Sequence, residues 1–523
     1  MRSRPGPGLR TSRMSKTPWE KARGHAALLA VLTLAVALAY GAVLSNGFSE
    51  VDDPSLLDRV RNGLPVTSHF RPLYPAWNTL LFRLFELNAG PYYAAGLALH
   101  VASAFACALL VGRLTASAAG ALTAGLVFAL FYSPHQAVLW IAANCGLLSV
   151  AFVLLAGLLW HRHVTTNARA AQVLALLAST AAMASKEDSV VLAPLLVGVD
   201  LCVHGRRALA PRTLARRYAP FVVLGALYLA IAYRPSLWAD LPGVDRYELA
   251  PALVAELFGN FALLFAIGQR HPAETSAAAV SAGALLVAVF SAAAIRLRGS
   301  RGVIWTGLAV ALFALAPALP GPFPIAGSRY AYPASIGVAF LAGGIAASFA
   351  RWTELRPAGR ALRACGAIVL ASWLALQAAA IRSVETWRYQ PNCARFHSLI
   401  EGTREIALAL RGRESEVWVL APDIWNPVDF ECGVRLFLED LVAPAGLEWV
   451  AVDDGARVLA ALEATSGAAP AFTSAGNGGL ERLDLRALEG GLAAVASARR
   501  PYAGAHEGEL PLVRLRILGS SGG

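Results

Sequence analysis

"HAALLAVLTLAVALAYGAVL", residues 25–44, is apolar over the length that crosses roughly 30 Å of hydrocarbon as a helix. It follows a Lys/Arg-rich tail, residues 1–24. It is too long for a signal-peptide core and lacks a small-x-small cleavage site. The segment therefore reads as an uncleaved anchor whose basic tail stays cytoplasmic.

The same pattern recurs along the chain. Of 523 residues, 56% are hydrophobic and only 15% charged, and the mean hydropathy is +0.53. Further apolar blocks fall near 91–112, 117–133, 138–160, 170–184, 189–204, 218–233, 276–295, 303–319, 332–350 and 362–381. One more, "PALVAELFGNFALLFAIG" (251–268), carries Glu256 and Asn260 and suits an interfacial or re-entrant helix. With that assignment, "HGRRALAPRTLARR" (204–217), "RLRGSR" (296–301) and "RWTELRPAGRALR" (351–363) all face the cytoplasm, as the positive-inside rule asks. The expectation is an all-α polytopic membrane protein of about eleven transmembrane helices. The net charge of +11 then belongs to cytoplasmic loops, not to nucleic-acid binding.

Residues 386–523 are more polar. "EVWVLAPD", "LEWVAVDD" and "LPLVRLRIL" read as strands, "ARFHSLIEGTREIALALRGR" and "FECGVRLFLEDL" as amphipathic helices, and "TSGAAPAFTSAGNGG" as a loop. The expected organisation is a basic tail (1–24), a transmembrane domain (25–385) with a long first outer loop (46–90), and a small extracytoplasmic α/β domain (386–523). Cys393 and Cys432 lie in that last part and could pair there. Cys107, Cys145, Cys202 and Cys365 fit small packing residues in or beside apolar blocks.

This threading brings the chemistry-bearing loops to one side. Asp52 and Asp53 stand in "SEVDDPSLLDRV" (49–60), just past the anchor, where a solvated turn before Pro54 is the plainer explanation. Arg71 lies further along in "HFRPLYPAWNTLLFRLFEL", a stretch suited to the membrane surface. "SKED" (185–188) sets Lys186, Glu187 and Asp188 between apolar runs, where charge is costly unless paired; this reads either as a functional site or as a mutually neutralising Lys–Glu pair that ends the helix. Lysine occurs otherwise only at Lys16 and Lys21; with abundant Ala and Gly this fits a GC-rich bacterial genome, hence a bacterial inner membrane. Arg329, Tyr330 and Tyr332 stand in "GSRYAYP", as site residues or as a headgroup contact with belt aromatics. His135 in "YSPHQ" could titrate near neutrality, and His100 reads as a hydrogen-bonded interhelical histidine. Carboxylates opposite cations at a membrane edge suit transfer of a group from a lipid phosphate: one accepts a proton, the others stabilise the leaving phosphate.

The order "DD" (52–53), "FRPLY" (70–74), "SPHQAVLWIAANCGLLSVAF" (133–152), "SKE" (185–187) and "SRYAYP" (328–333) resembles the multi-spanning C-type (GT-C) glycosyltransferases. The likeness is to their protein O-mannosyltransferase-like branch, which includes bacterial relatives of the tetratricopeptide-containing O-mannosyltransferases, and covers roughly residues 25–390. Relatives often carry His-Pro followed by Glu where this chain has Ser133, Pro134 and Gln136, and Arg-Asn/Asp-Leu-Leu where "NCGLL" (144–148) stands. The resemblance implies inverting transfer of a hexose, mannose-like, from a polyprenyl-phosphate donor to a protein or glycan acceptor on the outer face. It implies a base at Asp53 or Asp52, donor phosphate on Lys186, Arg329 and Arg71, and His135, Glu187 and Tyr330 nearby. The Asp pair could hold Mg²⁺ or Mn²⁺ as hard oxygen ligands; this branch is not expected to need a metal, and no cofactor is expected. The competing readings are a transporter or flippase for a lipid-linked or small polar substrate, for which no internal symmetry is visible, and an inactive membrane scaffold.

Overall fold

In a computed structural model, the chain is described over residues 18–49, 51–64, 70–232, 252–267, 276–318, 328–410, 416–420, 427–451, 471–474, 480–482 and 509–518. Residues 1–17 of the basic tail, residues 234–248, and most of "TSGAAPAFTSAGNGG" lie outside these.

The helices, in chain order, are α1 (Pro18–Tyr40), α2 (Asp53–Arg61), α3 (Leu73–Phe85), α4 (Ala89–Thr115), α5 (Ala118–Leu130), α6 (His135–Leu139), α7 (Asn144–Thr166), α8 (Arg169–Ser185) and α9 (Leu192–His204). They continue as α10 (Pro211–Ala232), α11 (Ala252–Leu263), α12 (Ala277–Arg296), α13 (Arg301–Leu315), α14 (Ala334–Glu354), α15 (Gly359–Val384), α16 (Gln390–Leu410) and α17 (Pro427–Phe437). Among the described residues, eight helices are long and apolar enough to cross a membrane, so this is a polytopic α-helical membrane protein. The other apolar helices, Ala118–Leu130, Leu253–Leu263 and Arg301–Leu315, are shorter, and the expected eleven spans are not reached on length and composition. Helix α11 is 12 residues long, about 18 Å at 1.5 Å per residue, which is too short to span.

Burial sorts the bundle into centre and rim. In Ile141–Thr166, 72% of the apolar window is buried inside the protein, whereas in Pro211–Ala232 none is. The centre is built by close backbone approach. A Cβ placed on Gly337 of α14 would run into both Ala311 N and Gly307 O of α13. On the other flank of α14, a Cβ on Gly343 would lie 2.8 Å from Gly120 O of α5. Small residues thus let α14 sit flush between two helices, the packing mode open to helices in lipid.

The two ends of the bundle differ. At one end, Arg351 donates to Thr115 O (3.1 Å) and Ser300 Oγ (2.5 Å), tying together α4, α14 and the α12–α13 turn. There too, Asp200 is fully buried and held by Arg217 (2.6 Å), His204 (2.8 Å) and the Tyr218 hydroxyl (3.1 Å). At the other end the helix termini carry Asp52, Asp53, Lys186 and Arg329.

The C-terminal strands, β1 (Glu416–Leu420), β2 (Val442–Ala451), β3 (Ala471–Ser474), β4 (Leu480–Arg482) and β5 (Glu509–Ile517), form one sheet in the order β2-β5-β1-β3-β4. Among the described residues, only the β1–β3 pair is parallel. Strand β3 falls inside the stretch read as a loop, so that reading is corrected: pairing with β1 overrides its weak local pattern. The helix expected to begin after residue 386 is instead continuous with the last membrane helix. A π-turn, Glu385–Tyr389, joins α15 to α16 without a break. Cys393 and Cys432 are buried thiols, not a disulfide. Cys365, expected as a packing residue, is exposed on α15. His100 is the interhelical histidine expected, with ring nitrogens 2.9 Å from the Tyr332 hydroxyl and 3.1 Å from Ala129 O.

Replacing Gly337 by Leu is expected to cost more than the about 1–3 kcal/mol of ordinary overpacking, because backbone and not side chain stands in the way. Gly225, with nothing within 4 Å of a Cβ, should accept Leu. Thermal stability in detergent checks both; a G337L chain as stable as wild type would refute the close packing.

Candidate functional site

The loop after the first span turns sharply at Asp52, whose φ of 59° lies in the left-handed region. That conformation is costly for most residues and least so for Asn and Asp. The turn sends the adjacent carboxylates in different directions. Asp53 is fully buried, and its oxygens accept from Ser49 N (2.9 Å) and Ala142 N (2.8 Å). It thereby ties the loop to the segment leading into α7. Trp140 reinforces the tie, its indole N–H donating to Val51 O at 2.9 Å. The Asp52 side chain is 43% exposed, with Oδ2 3.7 Å from Arg329 Nη1. Burial raises the carboxyl of Asp53 well above the usual range, against the pull of its two amides. Partial burial also raises Asp52, opposed by Arg329.

Arg329 is set by its own backbone. Its N–H donates to Gln136 Oε1 (3.0 Å), and Ser328 Oγ accepts from Tyr330 N (3.3 Å). Three residues on, Tyr332 is fully buried against His100, so it is not an interfacial belt residue. The Arg329 guanidinium lies 4.4 Å from the Trp140 ring centroid and 5.4 Å from that of Tyr330. A cation over an aromatic face at such distances is worth about 0.5–2 kcal/mol.

Lys186 reaches the same aromatic ring. Its ammonium is 5.2 Å from the Tyr330 centroid, and it pairs with Asp188 at 2.8 Å. Both are buried, and Ser149 Oγ donates to the other Asp188 oxygen at 3.0 Å. Lys186 makes no other hydrogen bond among the described residues, so ammonium hydrogens remain for a further acceptor. A Cβ on Gly146 would lie 3.9 Å from Nζ, so α7 passes close by.

Arg71 is more fully engaged. It forms a two-pronged pair with Glu187, Nε–Oε2 at 2.7 Å and Nη2–Oε1 at 2.5 Å, linking the start of α3 to the end of α8. Beneath it, the Tyr74 hydroxyl donates to Ala142 O (2.8 Å) and Asn144 donates to Asn78 Oδ1 (2.9 Å). Arg71 is therefore a brace as much as a donor.

His135 is placed differently from the expectation. It is fully buried, stacks on Tyr132 at 4.6 Å between centroids, and has Nδ1 2.9 Å from Tyr132 O. Burial pushes its pKa down to about 4, so it stays neutral near pH 7. Its ring packs against Tyr132 and Tyr389.

The structure thus brings together Asp52, Asp53, Arg329, Tyr330, Lys186, Arg71 and Glu187, and sets His135 apart. The sequence reading missed Trp140, Gln136 as the holder of Arg329, and above all Asp429. Asp429, from α17, is fully buried and accepts from Asp52 N (2.9 Å) and Ser55 N (3.2 Å). Nothing in local pattern marks a contact across 377 residues. Among the described residues, no three His, Cys, Asp or Glu side chains converge to hold a metal ion.

No family model matches the chain, and no curated protein matches it. Solved structures that match include the archaeal oligosaccharyltransferase AglB from Archaeoglobus fulgidus in complex with an inhibitory peptide and a dolichol-phosphate, at 13% identity and a TM-score of 0.45. The Archaeoglobus fulgidus oligosaccharyltransferase also matches in its apo form (14%, TM-score 0.42) and tethered to an acceptor peptide containing the NVT sequon (16%, TM-score 0.45). In each case the match covers 80% of this chain and 64% of the other. The chain is a distant likeness of these enzymes, and its site stands on its own residues.

Proposed function

We propose that this chain is a membrane glycosyltransferase that moves a hexose, mannose-like, from a polyprenyl-phosphate donor to a hydroxyl of a protein or glycan acceptor. The reaction would take place on the outer face of a bacterial inner membrane, with the N-terminus cytoplasmic and the C-terminal sheet outside. The observation that carries this reading is the half-exposed Asp52 carboxylate beside Arg329, with Lys186 on the same aromatic ring as that arginine.

Asp52 is the base and Asp53 its support, because both Asp53 oxygens are already taken by amides. Asp52 takes the proton of the acceptor hydroxyl as its oxygen bonds to the sugar's anomeric carbon. The bond from that carbon to the phosphate oxygen breaks, its electron pair stays with the phosphate, and the anomeric configuration inverts. Arg329 and Lys186 stabilise the phosphate as charge gathers on it. Lys186 does so as a point charge and Arg329 as a planar fork. The lipid tail lies along the bundle. No step is routed through a metal ion.

Asp52→Asn keeps a side chain that tolerates positive φ but cannot accept a proton. It should lower transfer from mannosyl-phosphoundecaprenol at least a hundredfold in native membranes, the scale of a lost general base, while expression and melting stay as in wild type. Asp53→Asn should lower melting temperature as well, since one of its two buried amides loses its acceptor. Full transfer by D52N would remove Asp52 from the mechanism.

Lys186→Arg preserves charge but must fit a larger group against α7 and Asp188. Donor KM should rise at least tenfold; an unchanged value would show that charge alone suffices.

The base must be ionised, and its pKa is raised. Transfer should therefore be complete on the alkaline side and fall on acidification at a pH above the about 3.9 of an ordinary aspartate. An acid limb at or below that value would count against Asp52.

A further inference from the structure

Helix α2 begins with an anomaly. Asp52 is its N-cap residue, and aspartate there ordinarily turns its own carboxylate inward to accept from the first amides. Here the Asp52 side chain makes no capping bond. The amides of Asp52 and Ser55 are satisfied instead by the two oxygens of Asp429, at 2.9 and 3.2 Å. The carboxylate that would have capped the helix faces Arg329.

The element that supplies this cap is held at several points. Arg435 of α17 lies 3.5 Å from Asp58 of α2. Arg61 at the end of α2 pairs with Glu439 just past α17, at 2.6 and 2.5 Å. Phe437 meets Phe48 before the turn and Phe396 on α16, each at 6.2 Å between centroids. Ion pairs and aromatic contacts thus hold α17 against α2. The Asp429 carboxylate meets backbone dipoles at a helix N-terminus, the electrostatic arrangement a helix favours for an anion.

We propose that Asp429 is a positioning residue for the transfer reaction: it caps α2 in place of Asp52 and so leaves the Asp52 carboxylate turned to Arg329. The C-terminal region is then a working part of the site, not an appendage to the membrane bundle. The proposal rests on the assignment of Asp52 as base, but the capping bond can be tested without it. When Asp429 is lost, the Asp52 carboxylate is free to fold back and cap its own helix. The base is withdrawn while the helix survives.

The full chain in nanodiscs serves as the test, with Asp429→Ala, Asp429→Asn and Glu439→Gln. Amide exchange over residues 51–56, followed by mass spectrometry, should be at least fivefold faster in D429A, with α4 unchanged. Turnover of mannosyl-phosphoundecaprenol should fall at least tenfold with donor KM within twofold, because donor contacts are untouched. D429N, which keeps one acceptor oxygen, should recover part of both. E439Q, which loosens the docking pair but leaves the cap, should stay within twofold of wild type. In the D52N background D429A should add no further loss of turnover, since both changes remove the same group. Unchanged exchange over 51–56 in both Asp429 variants overturns the proposal, as does an additive loss in the double variant or a KM effect equal to the turnover effect. Faster exchange with no transfer by the wild type would leave the cap standing and overturn the reaction it is said to serve.

Discussion

The arrangement depends on a carboxylate that takes no ion pair among the described residues. Asp53 is buried at the foot of the first loop and offers its oxygens to two amides, one four residues back and one 89 residues ahead. A buried acid held only by backbone dipoles is costly to ionise. Once ionised, each amide that finds it forms a charge-assisted bond, stronger than a neutral pair. The loop is therefore fixed to the start of α7 at one point, and everything else is measured from there. Trp140 is placed by its bond to Val51, Arg329 by its stacking on Trp140, and Asp52 by the turn that precedes Asp53.

Around that point, charge is assembled in matched pairs. Lys186 has Asp188, Arg71 has Glu187, and Arg329 has Asp52 at a distance beyond direct hydrogen bonding. The gradation decides which cation can change partners. The Arg71–Glu187 pair is two-pronged and part-buried, so it is the least ready to change partners. The Arg329–Asp52 contact is long and partly solvated, so a phosphate can engage the guanidinium at small cost. Lys186 keeps its carboxylate and still has hydrogens to give. Charges paired this way are compensated in the fold and still receptive to an anion, whereas unpaired cations at a membrane edge would be costly to hold.

The sequence made part of this legible for a simple reason: charge within apolar runs is expensive, so "DD", "SKED" and "SRYAYP" stood out, and hydropathy put them at one end of the bundle. It could not say which aspartate faces the cation, since that turns on one φ angle and on an amide far along the chain. Tyr332 and Tyr330 look alike in sequence, yet one is core and the other lines the site, because a three-residue turn separates their directions. His135 reads as a titratable loop histidine but is buried, since "YSPHQAVL" folds into the bundle instead of over it. Nothing in the sequence marks Asp429: it stands just before the amphipathic stretch "FECGVRLFLEDL", and its partner lies 377 residues away along the chain.

The unbroken helix from Gly359 to Leu410 explains how so distant a residue comes to be there. Its 52 residues extend about 78 Å at 1.5 Å per residue, far more than the roughly 30 Å of hydrocarbon. Contacts place the crossing point: Gln377 accepts from Tyr132 N at 2.9 Å and Glu385 from Asn46 at 3.3 Å, both at the site end. The helical turns beyond Glu385 therefore project past the site, and Phe396 on that projection meets Phe437. The π-turn at Glu385–Tyr389 falls at the passage from bundle to projection. There the wider turn directs buried Glu385 and Tyr389 inward while Thr386 and Trp387 stay exposed. The projecting helix thus offers α17 a surface beside α2, and part of the ordering entropy that docking costs is met in the folding of that helix.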